Sequence, residues 1–532
     1  MDHKRILATI QTNIFPGRAL ILKLILIYLS IHSSIHSFIH SFIHYSIPFL
    51  CIDYIVSSIH LFLTISQQKL VACFTTSVAI ISHFYLVPVA SPRDGQKGTP
   101  IYGASTKPGL YYTRASDRMS RIVERCKFLT SPTAVEGGLN NSNDIDSKKA
   151  VKRLATPWLI SGDIRTLVPF ITFMPNEVIY ERRWVRVPVA KGPCDATFVE
   201  LESDAPDNKY EAVALDCAFP DHPVIQKNKK GGNVALLLLS GLTGGSTEGY
   251  VVDMVNHARS KNWFVFVMTG RGLAGCPCRS GELFHGARTS DIVATAKAVR
   301  KGLPNDTRLF LGGISLGAII AANVCVQGSL DDIIDGCVCI SGCFDTEINS
   351  TYEHSLRAWQ PILNLPLKEA FVSPSGNMDK IISKIGINSH NVVSNIHTIS
   401  QFDSSFITPL HGFNDPHHYY AVMSAGMNNK LQKLRIPMLA IHALDDPILH
   451  VDTMPTKVAS EGTLTDKLTL LITKTGGHVG WPTGLFPWLS RWNFQNTLTS
   501  EFIEAVLDET YEEQFRKAHE KENADEEETP TC

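Results

Sequence analysis

The chain has 532 residues, with 49 basic and 51 acidic side chains and a formal net charge of −2. That length permits one large domain with appendages or several domains of ordinary size, and the near balance of charge argues against a global field that would gather nucleic acid or acidic substrates. The twelve cysteines lack the paired spacing of a zinc site and the regular spacing of a disulfide framework, so most are expected to be small buried hydrophobic side chains, and no metal or cofactor is predicted.

The first ninety residues have the composition of a membrane-associated segment. Between Lys23 and Lys69 the only acidic or basic side chain other than histidine is Asp53. The best span is Leu70–Val89, about the 20 residues that a helix needs to cross the hydrocarbon core. We therefore expect a single-pass N-terminal anchor and a membrane location. A cleaved signal peptide is the weaker alternative, because the apolar stretch is longer than the core of a signal sequence.

Two polar segments flank the central part of the chain. Residues 91–153 are rich in Gly, Ser, Asn and charge, and residues 509–532 are charged and acid-rich. Such compositions offer little apolar surface to bury. The first is predicted to be a linker or loosely ordered arm, and the second a disordered acidic tail.

Between these segments, residues 154–508 alternate short apolar runs with helix-length stretches. The strand candidates are Val234–Ser240, Trp263–Met268, Arg308–Gly312, Gly336–Ser341, Met438–Leu444 and Lys467–Thr473. The intervening helix candidates are Glu248–Ser260, Ser290–Gly302 and Leu316–Gln327. Near-continuous apolar runs are typical of strands buried on both faces. The pattern predicts an α/β fold, with a mostly parallel central sheet and helices on both faces.

A nucleophile motif joins the third of these strands to a helix. Gly313-Ile314-Ser315-Leu316-Gly317 matches G-x-S-x-G in the strand-to-helix setting that this motif requires. The turn lifts one hydroxyl above the sheet, and the flanking glycines let strand and helix approach closely. Ser315 is therefore the candidate nucleophile, and the Leu316 amide at the helix N-terminus is a candidate oxyanion donor.

A base and an orienting acid follow later strands. His478 lies in the glycine-flanked loop after the last strand, and Asp445-Asp446 follows the strand before it. The chain order Ser, Asp, His is that of α/β-hydrolases, and ligands of open α/β sheets collect where strands end. We assign His478 as general base and Asp446, directly before Pro447, as the acid that orients it. Asp445 remains the alternative.

Other histidines and one glycine-rich loop complete the list of candidates. His285, His411, His442 and His450 are each conceivable as the base, but none lies in a glycine-flanked loop after the last strand. The loop Ser240–Ser246 (SGLTGGS) follows the first strand and lacks the G-K-[ST] of a phosphate-binding loop. An oxyanion hole in this fold takes one amide from such a loop. Leu242 is the first choice as donor, with Thr243 next.

Further short motifs are distributed from about residue 156 to 480. They are Pro157-Trp158-Leu159 with Gly162 and Thr166, Ala214-Leu215-Asp216, Arg271-Gly272, His285-Gly286-Ala287 with Thr289 and Asp291, Phe402-Asp403, Gly412-Phe413 and Tyr419-Tyr420. Together with the loop GLTGGS, the nucleophile elbow Gly313–Gly317, Asp445-Asp446-Pro447 and Gly476–Gly480 (GGHVG), they resemble the branch of the α/β-hydrolase superfamily that includes membrane-anchored animal lipid hydrolases, plant embryogenesis-associated proteins, related bacterial hydrolases and yeast ethyl-ester synthases. Cys217, Ala318 and Thr269-Gly270 depart from that branch and bear on substrate preference.

The resemblance implies a helical cap at about residues 345–435, an N-terminal anchor and a lipid ester substrate such as an acylglycerol or phospholipid. The cap aromatic residues proposed for an acyl pocket are Trp359, Phe371, Phe402 and Phe413. The expected activity is hydrolysis of carboxylic esters by a Ser-His-Asp mechanism, with a lipid or small ester and a membrane as partners and no nucleic acid. One alternative is an alcohol O-acyltransferase that makes medium-chain fatty acid esters. Another is a non-catalytic membrane-tethered binding scaffold.

Overall fold

A computed structural model describes residues 106–136, 139–140, 152–153, 155–188, 210–220, 233–276, 278, 280–372, 385–386 and 395–527. The chain divides into two compact units, Met1–Leu86 and Val87–Cys532, and all described residues belong to the second. The predicted span Leu70–Val89 lies outside the described residues. Within the described part of the chain, no helix combines the length and hydrophobicity needed to cross a bilayer.

The centre of the described unit is a nine-stranded sheet. Its order is β1-β11-β10-β9-β8-β6-β7-β5-β4, and β2 and β3 pair separately. The strands are β1 (Gly109–Tyr111), β2 (Leu139–Asn140), β3 (Lys152–Arg153), β4 (Glu181–Pro188), β5 (Tyr210–Ala218), β6 (Asn233–Leu239), β7 (Phe264–Thr269), β8 (Thr307–Ile314), β9 (Gly336–Ile340), β10 (Met438–Ala443) and β11 (Leu468–Thr473).

Six neighbouring strands, β7-β6-β8-β9-β10-β11, are parallel, and the outer strands β1, β5 and β4 pair antiparallel. Parallel pairing brings the C-terminal ends of the six central strands to one edge of the sheet. The loops after β6, β8, β10 and β11 therefore meet there, and these are the loops that carry the predicted site residues.

Helices cover both faces of the sheet. They are α1 (Asp117–Arg125), α2 (Pro132–Val135), α3 (Gly162–Thr172), α4 (Gly249–Ser260), α5 (Ser290–Gly302), α6 (Leu316–Cys325), α7 (Thr346–Ser350), α8 (Gln360–Val372), α9 (Ile399–Phe402), α10 (Thr408–His411), α11 (Pro416–Met423), α12 (Thr456–Glu461), α13 (Pro487–Ser490) and α14 (Asn493–Glu527). Single π-helical turns at Ser355–Trp359 and Asp403–Ile407 precede α8 and α10. The described residues between β9 and β10 are helical or irregular, which agrees with the expected helical cap.

Alternation along the strands divides the core between the two faces. On β6, Leu237 and Leu239 belong to the buried cluster that includes residues of α5, α6 and α12, whereas Leu236 and Leu238 belong to the cluster that includes residues of α1, α4 and α14. Successive side chains of a strand point to opposite faces. Because both faces are covered, the central strands are apolar throughout, and all seven residues of β6 are buried.

The six central strand predictions are confirmed to within two residues at every end, but β4 and β5 were not predicted. β4 alternates charged and apolar residues and is exposed over its first four positions. It pairs only with β5 in the described sheet. An edge strand of this kind lacks the continuous apolar run that marks a central one.

The structure differs from the expected loosely ordered arm over residues 106–136. This part contains β1, which pairs with β11, and α1, whose Met119, Ile122 and Val123 are fully buried. The average composition of residues 91–153 does not show these apolar positions, because Gly, Ser and charged residues surround them. Their helical spacing puts them on one face, so a short amphipathic helix can bury them against α14.

The tail also differs from the disordered segment predicted for residues 509–532, because α14 continues to Glu527. Three arginines of α1 hold its charged part. Arg121 bonds to Glu509 at 2.8 Å and Arg125 to Glu512 at 2.6 Å, while Arg118 lies 3.6 Å from Glu513. Acidic residues that composition alone assigns to a solvated tail thus have basic partners almost 400 positions earlier in the chain.

Candidate active site

Ser315 occupies the sharp turn between β8 and α6. Its φ of 56° and ψ of −121° lie in a region that residues with a side chain rarely adopt. A Cβ on Gly313 would overlap the backbone of Gly317, and a Cβ on Gly317 would overlap the carbonyl oxygens of Leu239 and Ser240. The two glycines therefore permit the close approach of strand and helix that this turn requires.

The three side chains assigned from the sequence form one hydrogen-bonded row. Nε2 of His478 lies 2.8 Å from Oγ of Ser315, and Nδ1 of His478 lies 2.8 Å from Oδ2 of Asp446. A carboxylate only accepts hydrogen bonds, so Nδ1 must carry the proton that it donates to Asp446. In the neutral ring Nε2 is then free to accept the hydroxyl proton of Ser315.

Asp446 is held in place from both of its oxygens. Its Oδ1 accepts hydrogen bonds from the amides of Ile448 and Leu449, each at 2.9 Å, while Oδ2 accepts the hydrogen bond from Nδ1 of His478. Burial raises the pKa of Asp446, but the contacts with His478, His442 and the Leu449 amide outweigh burial and leave this pKa below its ordinary value. Asp446 is therefore ionised at neutral pH and can stabilise an imidazolium.

The alternative acid, Asp445, binds the backbone of the histidine loop. Its Oδ1 accepts hydrogen bonds from the amides of Gly476 at 2.8 Å and Gly477 at 2.9 Å, and its Oδ2 pairs with Arg165 at 2.7 Å. The carboxylate that meets the imidazole is that of Asp446.

Two hydroxyls anchor the histidine loop, and neither was assigned a role from the sequence. The amide of His478 donates to Oγ1 of Thr166 at 2.7 Å, and the amide of Val479 donates to Oγ of Ser341 at 3.0 Å. Thr166 lies on α3, which thereby contacts the loop directly. The sequence motif that contains Gly162 and Thr166 singled out this segment without giving it a role. Only the structure shows that the threonine hydroxyl accepts a hydrogen bond from this amide.

The predicted oxyanion loop lies beside the nucleophile. Leu242 and Leu316 both border the cavity that contains Ser315. The Gly241 amide donates to the hydroxyl of Tyr250 at 3.0 Å, and Thr243 has a positive φ of 57°, so the loop turns sharply just past β6. Tyr250, on α4, is a positioning residue that the sequence did not reveal.

A cavity of about 310 Å³ opens over this row. Its walls are largely apolar and come from the sheet edge and the cap, with Leu283, Ile319, Leu363, Leu367 and Ile407 among the lining residues. Of the aromatic residues proposed for an acyl pocket, Trp359 and Phe402 line the cavity. Phe413 packs instead on His285 and Tyr419. The side chain of Phe371 is outside the described residues.

A buried acid also lines the cavity. Asp403 accepts a hydrogen bond from the hydroxyl of Tyr420 at 3.1 Å. Burial raises the pKa of Asp403 to about 7, although the Tyr420 hydrogen bond opposes that shift. Near neutral pH this carboxyl is therefore protonated about half of the time and can both donate and accept hydrogen bonds.

A buried arginine ties the loop after β7 to α5. Arg271 is fully buried and binds both oxygens of Asp291, at 2.6 and 2.8 Å, and Glu282 at 3.1 Å. A two-point arginine–carboxylate pair fixes orientation as well as distance. The network supports the cavity wall that Arg271 and His285 help to form.

The four alternative histidines have other partners. The rings of His285 and His411 lie 4.2 Å apart. His442 lies 3.0 Å from the carbonyl oxygen of Leu449 through Nε2, and Nδ1 of His450 accepts from the amide of Asp452 at 3.3 Å. Of the five histidines considered, His478 is the one that the structure places against Ser315.

Comparison with known proteins finds relatives that are named as a lipase, a phospholipase and a putative esterase. No protein-family model matches the chain. A monoacylglycerol lipase of Saccharomyces cerevisiae is 32% identical over 270 residues, which cover 49% of this chain and 57% of that protein. Phospholipase ABHD3 of Mus musculus is 24% identical over 401 residues, 74% of this chain and 89% of that protein. The putative esterase YheT of Escherichia coli is 26% identical over 280 residues, 52% of this chain and 76% of that protein. The matches with the first three curated relatives span 57%, 61% and 63% of their lengths.

Proposed function

We propose that this chain, which belongs to the α/β-hydrolase superfamily, hydrolyses carboxylic esters, with Ser315 as nucleophile, His478 as general base and Asp446 as the acid that orients it. The observation that carries the proposal is the continuous row of hydrogen bonds from Oγ of Ser315 through the imidazole to Asp446. A serine hydroxyl is a weak nucleophile without such a base. The names of the relatives, a lipase, a phospholipase and a putative esterase, point to the same chemistry.

The proposed reaction proceeds in two acyl transfers. Oγ of Ser315 attacks the ester carbonyl carbon while Nε2 of His478 takes its proton, and the carbonyl oxygen becomes an oxyanion held by the amides of Leu242 and Leu316. His478 then gives the proton to the departing alcohol, which leaves an acyl group on Ser315. Water attacks this ester with the same base, and the carboxylic acid is released.

A lipid ester is the substrate class that the cavity favours. Burial of an acyl chain against apolar walls contributes about 0.8 kcal/mol of binding free energy for each methylene removed from water. The cap supplies much of this wall. Carboxyl and hydroxyl groups at Asp403 and Tyr420 offer a local polar contact within it. An acylglycerol or phospholipid combines both features, and a membrane anchor formed by residues 70–89 would hold the enzyme beside such substrates.

Activity-based labelling tests the nucleophile. Membranes that contain the full chain are treated with a fluorophosphonate probe, comparing wild type with Ser315→Ala and with Ser460→Ala, a serine of α12 that bonds only to its own helix among the described contacts. The probe is expected to label wild type and Ser460→Ala and to leave Ser315→Ala unlabelled. Labelling of Ser315→Ala would remove the assignment, and no labelling of any form would favour a binding scaffold.

Product analysis separates hydrolysis from transfer to an alcohol. A medium-chain acyl ester is supplied with and without ethanol, and free acid and ethyl ester are both measured. For a hydrolase, free acid remains the main product when ethanol is added. Ethyl ester as the main product would identify an acyltransferase that uses the same acyl-enzyme.

A further inference from the structure

An unusual number of large apolar side chains lie exposed on two segments that adjoin the candidate site. We define the apolar face as Trp158, Ile160, Ile164, Leu485, Trp488 and Leu489. Ile160 and Leu489 are 78% and 72% exposed, and the two tryptophans are nearly half exposed. Large contiguous apolar patches are uncommon on soluble surfaces and mark sites of interaction.

Direct contacts join the two segments into one surface. The rings of Trp158 and Trp488 lie 6.5 Å apart, and the indole nitrogen of Trp158 donates to the carbonyl oxygen of Leu485 at 2.9 Å. The ring of Phe486 lies 5.5 Å from that of Trp488. The backbone beneath is also paired, because the amide of Thr156 donates to the carbonyl oxygen of Pro482 at 3.0 Å. These contacts hold Trp158 and the segment from Leu485 to Trp488 together as one surface.

The apolar face and the mouth of the cavity share helix α3. Helix α3 carries Ile164 on this face, and from the same helix Thr166 and Phe170 line the cavity. Phe170 remains half exposed, so apolar surface extends from the cavity to the outside. Because Thr166 also holds the amide of His478, whatever docks on α3 lies within one helix diameter of the reacting groups, about 10 Å.

The charged side chains of these segments already have partners. Arg165 pairs with Asp445 at 2.7 Å, and Arg491, just after α13, lies 3.1 Å from Asp253. Asp163 accepts hydrogen bonds from His354 and Trp359. A surface that offers indole rings and aliphatic side chains with its charges internally paired matches the boundary between lipid headgroups and acyl chains, where tryptophan is favoured.

We propose that the apolar face docks on a lipid bilayer and turns the mouth of the cavity toward it. The length of the N-terminal segment supports this occupant. Only 16 residues, 90–105, lie between Val89, where the apolar span ends, and Thr106, the first described residue. Fully extended they reach about 60 Å, which keeps the domain within reach of any bilayer that holds the span. This docking rests on the proposed hydrolysis of lipid esters, because it would bring such substrates to the cavity.

Tryptophan fluorescence tests the docking directly. All seven tryptophans lie after residue 157, so their signal reports on the domain and not on the N-terminal region. Full-length protein is reconstituted in phosphatidylcholine vesicles with or without bromine in the upper part of the acyl chains, since bromine quenches indoles that reach it. We expect bromination to lower the fluorescence of wild type, and Trp158→Phe with Trp488→Phe to lose most of that decrease. Trp184→Phe is the matched control, because Trp184 is 52% exposed on edge strand β4 outside the apolar face.

A second variant keeps every tryptophan and changes only the surface. Ile160→Glu with Leu489→Glu should abolish the quenching by brominated lipid without lowering the melting temperature, since both side chains are mostly exposed. Phe515→Glu, at an exposed position of α14, should leave quenching intact. The sedimentation of each form in detergent is measured as well.

Three outcomes would overturn the proposal. Bromination could fail to quench any form, or the decrease could be lost with Trp184→Phe rather than with the tryptophan pair. Alternatively, the glutamate variant could dissociate a dimer while quenching stays unchanged, which would identify the face as a contact between copies. The readout needs no turnover, so Ser315→Ala should be quenched like wild type. Loss of ester hydrolysis with intact quenching would count against the proposed function alone.

Discussion

Asp445 and Asp446 are sequence neighbours whose carboxylates bind the same loop at two different points. Asp446 accepts a hydrogen bond from the ring of His478, whereas Asp445 accepts hydrogen bonds from the amides of Gly476 and Gly477, the two residues directly before His478. One aspartate thus orients the imidazole and the other positions the backbone that carries it. A Cβ on Gly162 would overlap the carbonyl oxygen of Asp445, so α3 also packs against this pair.

Isosteric amide substitutions should separate the two roles. Asp446→Asn presents either a neutral oxygen or an N–H to the imidazole and no longer stabilises an imidazolium, so kcat for ester hydrolysis should fall by about 10⁴. Asp445→Asn retains an oxygen for the two glycine amides and loses the ion pair with Arg165, so kcat should change by less than about tenfold and stability by about 1 kcal/mol. Steady-state kinetics and urea unfolding of both variants provide the measurement. Equal losses of kcat would contradict the assignment of Asp446.

The hydroxyl of Thr166 offers a test of loop positioning. Thr166→Val leaves the buried amide of His478 without its acceptor, which should cost about 1–3 kcal/mol of stability, and a displaced ring should lower kcat more than it raises KM. Thr166→Ser keeps the hydroxyl and should restore most of the activity. If the serine variant were as impaired as valine, packing of the methyl group rather than the hydrogen bond would be responsible.

The close approach at the elbow predicts a contrast between two glycines. In Gly317→Ala the new methyl group overlaps the carbonyl oxygens of Leu239 and Ser240, so β6 and α6 must separate, and stability should fall by about 1–3 kcal/mol. A Cβ on Gly302, at the end of α5, meets nothing within 4 Å, so Gly302→Ala should be neutral or stabilise by up to about 1 kcal/mol. Measurement of thermal unfolding and kcat for both variants tests this contrast. A tolerated Gly317→Ala would mean that the elbow is looser than the structure indicates.

Asp403 should make stability depend on pH. Its pKa of about 7 in the folded chain exceeds the value of about 3.9 for an unfolded aspartate. Between these values the folded chain holds the extra proton, so the free energy of unfolding falls as pH rises through this window. Asp403→Asn removes this titration. Its free energy of unfolding relative to wild type should therefore rise by about 3 kcal/mol between pH 5 and pH 8.

Urea unfolding of wild type and Asp403→Asn at pH 5, 6.5 and 8 measures this gain. Tyr420→Phe is a useful companion, since loss of the hydroxyl that stabilises the carboxylate raises the pKa of Asp403 further and should enlarge the decrease with pH. A difference between Asn and wild type that stays constant with pH would show that Asp403 does not titrate in this range.

The residues that could be predicted from the sequence are those whose local pattern determines their place. β6 to β11 are continuous apolar runs, and in a parallel sheet the loops after them must meet at one edge, so Ser315, Asp446 and His478 followed from strand order and glycine spacing. Tyr250 and Ser341 could not be assigned in this way, because their hydroxyls act on backbone amides of other loops. No local sequence pattern indicates such a hydrogen-bond partner. The apolar positions of α1 were likewise hidden by the polar residues around them.

The pairing of α1 with α14 bears on how the protein is made. Arg121 emerges from the ribosome 388 residues before its partner Glu509, and Leu110 of β1 emerges 361 residues before its partner Leu471 of β11. Until α14 has been synthesised, the buried side chains of α1 lack the helix against which they pack, and closing so long a loop is slow and entropically costly. We expect nascent chains to require chaperone protection of this segment, and truncation before α14 to yield aggregates rather than a smaller working enzyme.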